Sequence, residues 1–514
     1  MIAGPGQPSA SAAVLAALAP GQRLVAEALG RQWDAAGEEL YLVGGIVRDA
    51  LLGRELPADL DLTTSALPGR TEALATAAGA RSIFLIGQEY GTVGAVFGAD
   101  PAPVVAEITT YRAEHYPDET RFPAVRFGVA LADDLSRRDF TANAIAADPR
   151  TGRIVDPFGG QADIAQGVLR AVGDPDERFA EDPLRLLRAA RFVAHLGFRI
   201  DPATELAMRR QAASLGRISQ ERILAELTRL LTGTYVEHGL ELLRRTDLID
   251  VALPELAPLA RESAATNRHR HREKDLWDHT LRVVRQAPPH PRVRWAALLH
   301  DAAKPLTRGF DETGEVHFFG HERVGADLAA RLLSRLKADK ATQSAVARLV
   351  ELHGRPAAYE PDWTDSAVRR LVLEAGEVWP DLLDLAAADV TSGREAKRRQ
   401  AANRVRQLRD HVARLQAEAD LARLQSPLDG DHLMRIFERG PGIWIKHVKD
   451  HLREQVIDGA LRQDDAQSAE IMARAFLGAD ENEKDSTRLL RQWPAPAEPP
   501  LPCEGEGVGG EGSR

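Results

Sequence analysis

The chain predicts an α+β protein, a small mixed α/β head followed by a long helical body, and three observations carry that expectation. From 41 to about 158, short apolar runs (YLVGG, RSIFLIG, GTVGAVF, PVVAEITTY, GRIVDPF) alternate with helical stretches. After 180 such runs almost vanish and apolar residues recur at helical spacing. The chain is also rich in Ala, Leu and Arg, which favour helices. At 514 residues it exceeds what one core can serve, so three or four domains are expected.

In order, residues 1–20 are rich in Ala, Gly and Pro and read as disordered or loosely helical. The head spans 21–160. Tyr41 to Val43 read as a buried strand, Gly44-Gly45 as a sharp turn, and Ile46 to Leu52 as the start of a helix. Helices over 161–250 form a neck, and a charged, Pro-containing stretch (254–275) separates it from a second helical unit, 270–395. A long polar helix near 395–400 opens an extension, 396–490, and the low-complexity tail 491–514 reads as disordered.

The head concentrates the chemistry. Asp59-Leu60-Asp61 lies fourteen residues after the double glycine. In a strand, residues i and i+2 share a face, so both carboxylates converge on one spot. Hard oxygen ligands there suit Mg²⁺. Glycines and the free N–H groups of a helix start let the backbone approach a triphosphate, and Arg48 adds a fork-shaped cation. Glu107, in VAEITTYR, supplies a third carboxylate on another strand. Arg137, Arg138, Asp139 and Asn143 cluster in LSRRDFTANA; the arginines can bind phosphate or form a surface ion pair. Asp182 precedes Pro183 as a helix cap would, and Arg185, Arg188 and Arg191 form a stripe at every third position of the next helix.

GGxVRD, DxD, EITTYR, RRDFTxNA and EDPLRxLRAARF, in this order over roughly 40–235, resemble the class II tRNA nucleotidyltransferases, which are the CCA-adding enzymes and their poly(A) polymerase relatives. The resemblance implies a nucleotidyltransferase head with Mg²⁺ on Asp59 and Asp61 and Glu107 as the third acidic partner. It implies triphosphate or sugar contacts from Gly45, Arg48 and Arg138. It also implies that Asp182 and Arg185 read the edge of the incoming base, supported by Arg188 and Arg191. A carboxylate accepts from the exocyclic amine that cytosine and adenine share, while an arginine donates to a ring nitrogen or carbonyl. Residues 217–231 resemble the family's next helical motif, and Ala142 stands where the family usually carries a bulky aliphatic. The polar stretch RAEHYPDETRFPAVR (112–126) resembles the mobile loop of enzymes that add the terminal A.

In the second helical unit, His279, His300-Asp301, His321, His353 and Asp389 can enclose a divalent metal. The pattern resembles HD-type phosphohydrolase domains, with His279, His300, Asp301 and Asp389 as the core metal set. His321 and His353 match positions for a second metal or phosphate. The metal is Mg²⁺ or a divalent transition metal of unread identity. Lys304 reads as solvated or as a phosphate contact.

Composition narrows the classes. A net charge of −10 argues against a nonspecific polyanion binder, although 178–222 holds more Arg than acid and Lys397-Arg398-Arg399 form another basic cluster. One cysteine, Cys503, excludes intrachain disulfides and multi-cysteine zinc sites. No apolar run reaches membrane-spanning length, and the Ala-rich start lacks a basic lead-in, so a soluble cytoplasmic enzyme is expected. The expected function is CCA addition to tRNA 3′ ends from CTP and ATP, with an HD-domain phosphohydrolase or 2′,3′-cyclic phosphodiesterase activity. Its rivals are an A-adding enzyme, a poly(A) polymerase, a phosphohydrolase with an RNA-binding head, and a noncatalytic scaffold. Oligomeric state is not legible.

Overall fold

The structure, a computed structural model, describes residues 10–86, 91–98, 102–115, 124–266, 275–312, 316–390, 395–417 and 425–481. Contacts divide the chain into two units, 1–358 with 377–405, and 359–376 with 406–514.

The head begins earlier than expected. Residues Ala10–Ala17 form a helix (α1), the helical one of the two readings, with Val14 buried, and α1 packs against α3 (Gly45–Leu51). Between them lie α2 (Pro20–Ala36) and β1 (Leu40–Val43). Then come β2 (Leu60–Thr64), α4 (Pro68–Ala77), β3 (Ser82–Ile86), β4 (Thr92–Phe97) and β5 (Val104–Thr110). With β8 (Ala146–Ala147) and β9 (Ile154–Val155) the larger strands form one seven-stranded sheet, ordered β3-β4-β5-β2-β1-β8-β9. Only β2 and β5 run parallel within it.

Strand alternation sets the two faces. Leu60 and Leu62 of β2, and Ala106 and Ile108 of β5, point into the core, while Asp61 and Glu107 take the opposite face. Each fully buried Leu or Ile there contributes roughly 1.5–3 kcal/mol. Trp33 of α2, fully buried, donates Nε1–H to Thr64 Oγ1 at 2.6 Å and ties α2 to β2. The stretch read as a mobile loop is in part paired: β6 (Arg112–His115) and β7 (Ala124–Phe127) form an antiparallel hairpin, and 116–123 lie outside the described residues.

A short helix, α5 (Leu131–Ser136), and α6 (Gly160–Gln166) lead into the neck. The neck contains α7 (Pro175–Glu181), α8 (Leu184–Leu196), α9 (Pro202–Gln211), α10 (Gln220–Leu231), α11 (Val236–Arg245), α12 (Leu248–Ala252) and α13 (Ala257–Thr266). It is not wholly helical, since Val168–Leu169 pairs in parallel with Arg199–Ile200. The second helical unit follows in α14 (Leu276–Gln286), α15 (Pro291–Leu299), α16 (His321–Arg335), α17 (Lys340–Leu352), α18 (Asp365–Ala375) and α19 (Trp379–Ala388). Buried Arg294 ties it to the neck by donating to Leu231 O at 3.1 Å, and donates to Ala287 O within its own unit at 2.7 Å.

Near 396 the contacts divide the chain differently from the expected boundary. The segment 359–376, which contains α18, belongs with the C-terminal unit, and residues to 405 belong with the main body. The long helix α20 (Glu395–Ala417) is followed by α21 (Gly430–Phe437), α22 (Ile443–Ile457) and α23 (Ala466–Glu481), packed around Leu433, Val448 and Leu452. The tail from 482, with Cys503, lies outside the described residues.

Candidate active sites in the head and the helical domain

The head site grows out of the sheet. Asp61 on β2 and Glu107 on β5 are direct cross-strand partners, and Asp59 stands just before β2, in step with Asp61. Burial raises the pKa of Asp61, and Asp59 pushes the same way against Arg138. Glu107 is raised by burial and by both aspartates. Three carboxylates that repel one another across a partly dry surface fit a hard divalent metal.

Gly44 closes this site from the α3 side. Its φ of 73° and ψ of −133° are open to glycine, and an added Cβ would sit 3.4 Å from Arg138 Nη1 and 4.0 Å from Asp61 Oδ2. Gly45, the expected phosphate contact, is the first residue of α3, with Arg48 Nη2 3.6 Å from where its Cβ would be. Gly44 was missing from the expected contacts, although the doubled glycine was its signal.

The arginines prove to be organised by acids. Arg48 donates twice to Asp49, at 2.9 and 2.8 Å, and once to Asn143 Oδ1, at 2.7 Å. Asn143 in turn donates to Asp139 at 3.0 Å, and Asp139 accepts from Arg188 Nε at 2.8 Å. Burial works to raise the pKa of Asp139, but Arg188 and Asn143 overcome it and bring it down to about 2. A continuous polar chain thus joins α3 in the head to α8 in the neck. The surface-pair reading of the Arg-Arg-Asp cluster is corrected: Asp139 is buried, and Asp134, fully buried, accepts from Arg137 at 2.8 Å and lies 3.5 Å from Arg138.

The helix stripe behaves likewise. Arg185 is buried and donates to Glu181 at 2.6 Å, Arg178 O at 3.0 Å and Arg137 O at 2.8 Å. Arg191 pairs with Glu226 at 3.0 Å and lies over the Phe192 ring at 4.4 Å; burial lowers its pKa to about 10. Asp182 accepts from Leu184 N at 3.1 Å, the capping role, and from Arg222 at 3.3 Å. The basic stretch 178–222 is therefore largely neutralised from within, with Arg209 on Asp247 and Arg210 on Asp176 as well. Arg48, Arg54, Arg191 and Arg229 line one cavity of about 380 Å³ with Phe192 and His195. In the distant basic cluster, Arg399 pairs with Glu395.

The helical domain assembles a tighter centre. His279 comes from α14, His300-Asp301 from the end of α15, His321 from the start of α16, His353 from the end of α17 and Asp389 from the end of α19. The Nδ1 atoms of His300, His321 and His353 each face a backbone carbonyl three residues earlier, at 2.9, 2.8 and 2.7 Å. That contact assigns the proton to Nδ1 and leaves Nε2 as a ligand. Among the described residues, two groups of three donor atoms lie within 4.8 Å of one another, His279 with His300 and Asp389, and Asp301 with His321 and His353. Both are here, whereas the head carboxylates are more open.

Asp301 sits between the groups. Its Oδ2 lies 3.2 Å from both His279 and His300 and 2.7 Å from Lys304, while its buried Oδ1 has no hydrogen-bond partner. An orphaned carboxylate oxygen facing imidazole nitrogens fits a metal ligand. Burial opposes the charge on Asp301, yet His300 and His279 hold its pKa well below the carboxylate range. Burial likewise opposes the charge on His300, but Asp301 raises its pKa to about 9; burial and His300 lower His353 to about 4. Lys304, read as solvated or phosphate-binding, is instead bound to Asp301.

A mixed sheet bearing three carboxylates, an arginine-rich neck and a separate His/Asp centre define a nucleotidyltransferase head joined to an HD-type domain. Family models agree in that order, with the poly A polymerase head domain over 40–170, a probable RNA and SrmB- binding site of polymerase A over 197–259, and the HD domain over 276–394. An A-adding tRNA nucleotidyltransferase of Deinococcus radiodurans is 39% identical over 370 residues, 70% of this chain and 76% of that protein. The chain belongs to the tRNA nucleotidyltransferase family.

A CCA-adding enzyme of Geobacillus sp. (strain WCH70) is 44% identical over 240 residues, 46% of this chain and 56% of that protein, so the match spans about half of that relative's length. The crystal structure of the Bacillus stearothermophilus CCA-adding enzyme in complex with CTP superposes with a TM-score of 0.64 at 27% identity, covering 91% of this chain and 100% of that one. No helix among the described residues is long and apolar enough to cross a membrane.

Proposed function

We propose that this protein is a cytoplasmic, template-independent nucleotidyltransferase that completes tRNA 3′ ends with CCA from CTP and ATP. The observation that carries this reading is the Asp61–Glu107 cross-strand pair with Asp59 beside it, facing Gly44 and Arg138. The RNA 3′-hydroxyl oxygen forms a bond to the α-phosphorus, the bond from that phosphorus to the bridging oxygen breaks, pyrophosphate leaves, and the hydroxyl proton passes to water. Mg²⁺ held by Asp59 and Asp61, with Glu107, would supply charge neutralisation for attacking and leaving oxygens. Gly45, Arg48 and Arg138 hold the triphosphate, and the Asp139–Asn143 chain keeps Arg48 and Arg188 in fixed orientation. Asp182 and Arg185 select the base, with Arg188 and Arg191 behind them. Uracil and guanine would leave buried polar groups unpaired.

Addition of A alone is the second reading, supported by the A-adding relative from Deinococcus radiodurans, whose match covers 70% of this chain. The test supplies CTP and ATP, singly and together, to tRNAs ending before CCA, after C and after CC. Completion of all three with a stop after A supports CCA addition. Extension of only the CC-ended RNA by one A supports the second reading, and a long ladder identifies a poly(A) polymerase.

The helical domain supports a second activity, hydrolysis of phosphate esters such as 2′,3′-cyclic phosphates. Water oxygen bonds to phosphorus, an ester P–O bond breaks, and the freed oxygen takes a proton. His279, His300, Asp301 and Asp389 would hold the metal, with His321 and His353 for a second ion or the phosphate. Orphaned Asp301 Oδ1 carries this assignment. Opening of a 2′,3′-cyclic phosphate to a ribose phosphomonoester, lost in His300→Ala, tests it.

A further inference from the structure

The carboxylate row continues past Glu107. Glu107 pairs with Gly94 on β4, and Gly94 with Phe84 on edge strand β3, so Asp61, Glu107, Gly94 and Phe84 stand in one line on one face. The Phe84 ring lies flat across Gly94, where an added Cβ would come within 2.5 Å of Phe84 Cε2. Phe84 nonetheless remains 40% exposed. Helices α2 and α4 pack on the sheet, and core-directed side chains of β2 and β5 alternate with the carboxylates, so among the described residues the carboxylate face at this edge stays open. Among the described residues of the seven-stranded sheet, the other exposed large hydrophobic, Leu85, points the opposite way.

The two flanks of the carboxylates differ. Gly44, Arg138 and the Arg48–Asn143–Asp139–Arg188 chain lie on the β1 side, and an uncharged aromatic surface lies on the β4–β3 side. Displacement at phosphorus is in line, so attacking oxygen and departing pyrophosphate occupy opposite sides of the reacting centre. The triphosphate is drawn to the cations, which leaves the RNA end on the other flank. Two strand spacings put the Phe84 backbone about 10 Å from that of Glu107, a distance a terminal ribose and its base can bridge.

We propose that Phe84 is a stacking platform for the 3′-terminal base of the RNA primer, with Gly94 as the gap that lets the ring lie flat. The inference rests on the nucleotidyl-transfer reading. Stacking on an aromatic is tolerant of base identity, as an enzyme that must accept successive RNA ends requires.

The experiment uses the full chain, CC-ended tRNA and ATP, comparing wild type with Phe84→Leu and Phe84→Tyr; Leu keeps apolar cover over Gly94 and Tyr keeps the ring. Phe84→Leu is expected to raise the KM for RNA between about fivefold and about a hundredfold, while the KM for ATP stays within about twofold and Phe84→Tyr resembles wild type. An RNA with an abasic 3′-terminal nucleotide should weaken wild type to the Phe84→Leu level and leave Phe84→Leu unchanged. A Phe84→Leu enzyme with wild-type RNA KM, or one that loses as much on the abasic RNA as wild type does, overturns the assignment. Quenching of 2-aminopurine at the RNA 3′ end, by wild type and not by Phe84→Leu, reads stacking without turnover. If wild type quenches it yet extends no RNA, the transfer reading fails and the platform stands.

Discussion

The head and the helical domain both gather aspartates, and they treat the charge in opposite ways. In the head, burial and mutual repulsion raise Asp61 and Glu107. In the helical domain, Asp301 is more deeply buried, yet His300, His279 and Lys304 hold it well below the carboxylate range. The first site is an open acidic surface whose charge Arg138 offsets only in part. The second carries its countercharge in the fold and can keep an ion in residence. On the proposed reading, the difference suits transfer from an exchanging nucleotide in one place and hydrolysis at a fixed centre in the other.

The widest break comes at Asp61. Asp61→Ala should lower nucleotide addition by on the order of a thousandfold, as loss of a charge-stabilising group does. Because the folded pKa of Asp61 is raised, its favourable contribution is present at low pH and lost as pH rises through the folded value. Asp61→Asn should therefore melt at the same or a higher temperature than wild type at neutral pH without metal. Undiminished incorporation, or a large drop in Tm, would sink the comparison from the head side.

The helical domain gives the opposite sign. Asp301 and Asp389 are lowered, so their stabilisation is present above the ordinary carboxylate pKa and lost as pH falls through the folded values. His300, raised to about 9, stabilises below 6.5 and loses this as pH rises through about 9. Metal uptake at pH 7 must displace the proton of His300, so titration calorimetry in buffers of different ionisation enthalpy should show about one proton released per centre. His300→Ala should abolish this uptake and leave nucleotide addition within about twofold.

How much of this was legible follows from what each signal depends on. Asp59, Asp61 and Glu107 could be found because strand alternation is local, and the β2–β5 register then set Asp61 beside Glu107. The His/Asp centre was legible as a set of residue types, but its division around Asp301 depends on how five helices pack. The arginine stripe was seen as bare charge. Its partners, Glu181, Asp139 and Glu226, come from elements up to 49 residues away, and spacing along one helix says nothing of them. The stretch at 10–17 was left between disordered and loosely helical because its Ala-rich sequence has no amphipathic stripe, and its packing on α3 is a tertiary effect.

Asp139 tests whether the head and neck act as one unit. Asp139→Asn keeps the shape and removes the charge that holds Arg188, whose side chain is 34% exposed. Breaking a fully buried pair costs about 3–5 kcal/mol, and partial exposure of Arg188 reduces that to roughly 2 kcal/mol. Activity should fall by about tenfold to a hundredfold through Arg188 and, by way of Asn143, Arg48. A variant with lowered Tm but full activity would mean that the chain serves stability alone.

The smallest effect belongs to Asp182, which separates reading a base from capping a helix. Its carboxylate accepts from Leu184 N and from Arg222, on the exposed rim of the neck. Asparagine can still cap, so Asp182→Asn should change stability by no more than about 1 kcal/mol. The amide adds a donor where a carboxylate only accepts, so it faces the exocyclic amine of cytosine or adenine less favourably and can donate to the carbonyl of uracil or guanine. The expected result is a few-fold loss with CTP and ATP and a few-fold gain with UTP and GTP, read from single-nucleotide incorporation on CC-ended and C-ended RNA. Unchanged selectivity with unchanged Tm would reduce Asp182 to a cap and leave base choice to Arg185, whose three bonds to Glu181, Arg178 O and Arg137 O already fix it in place.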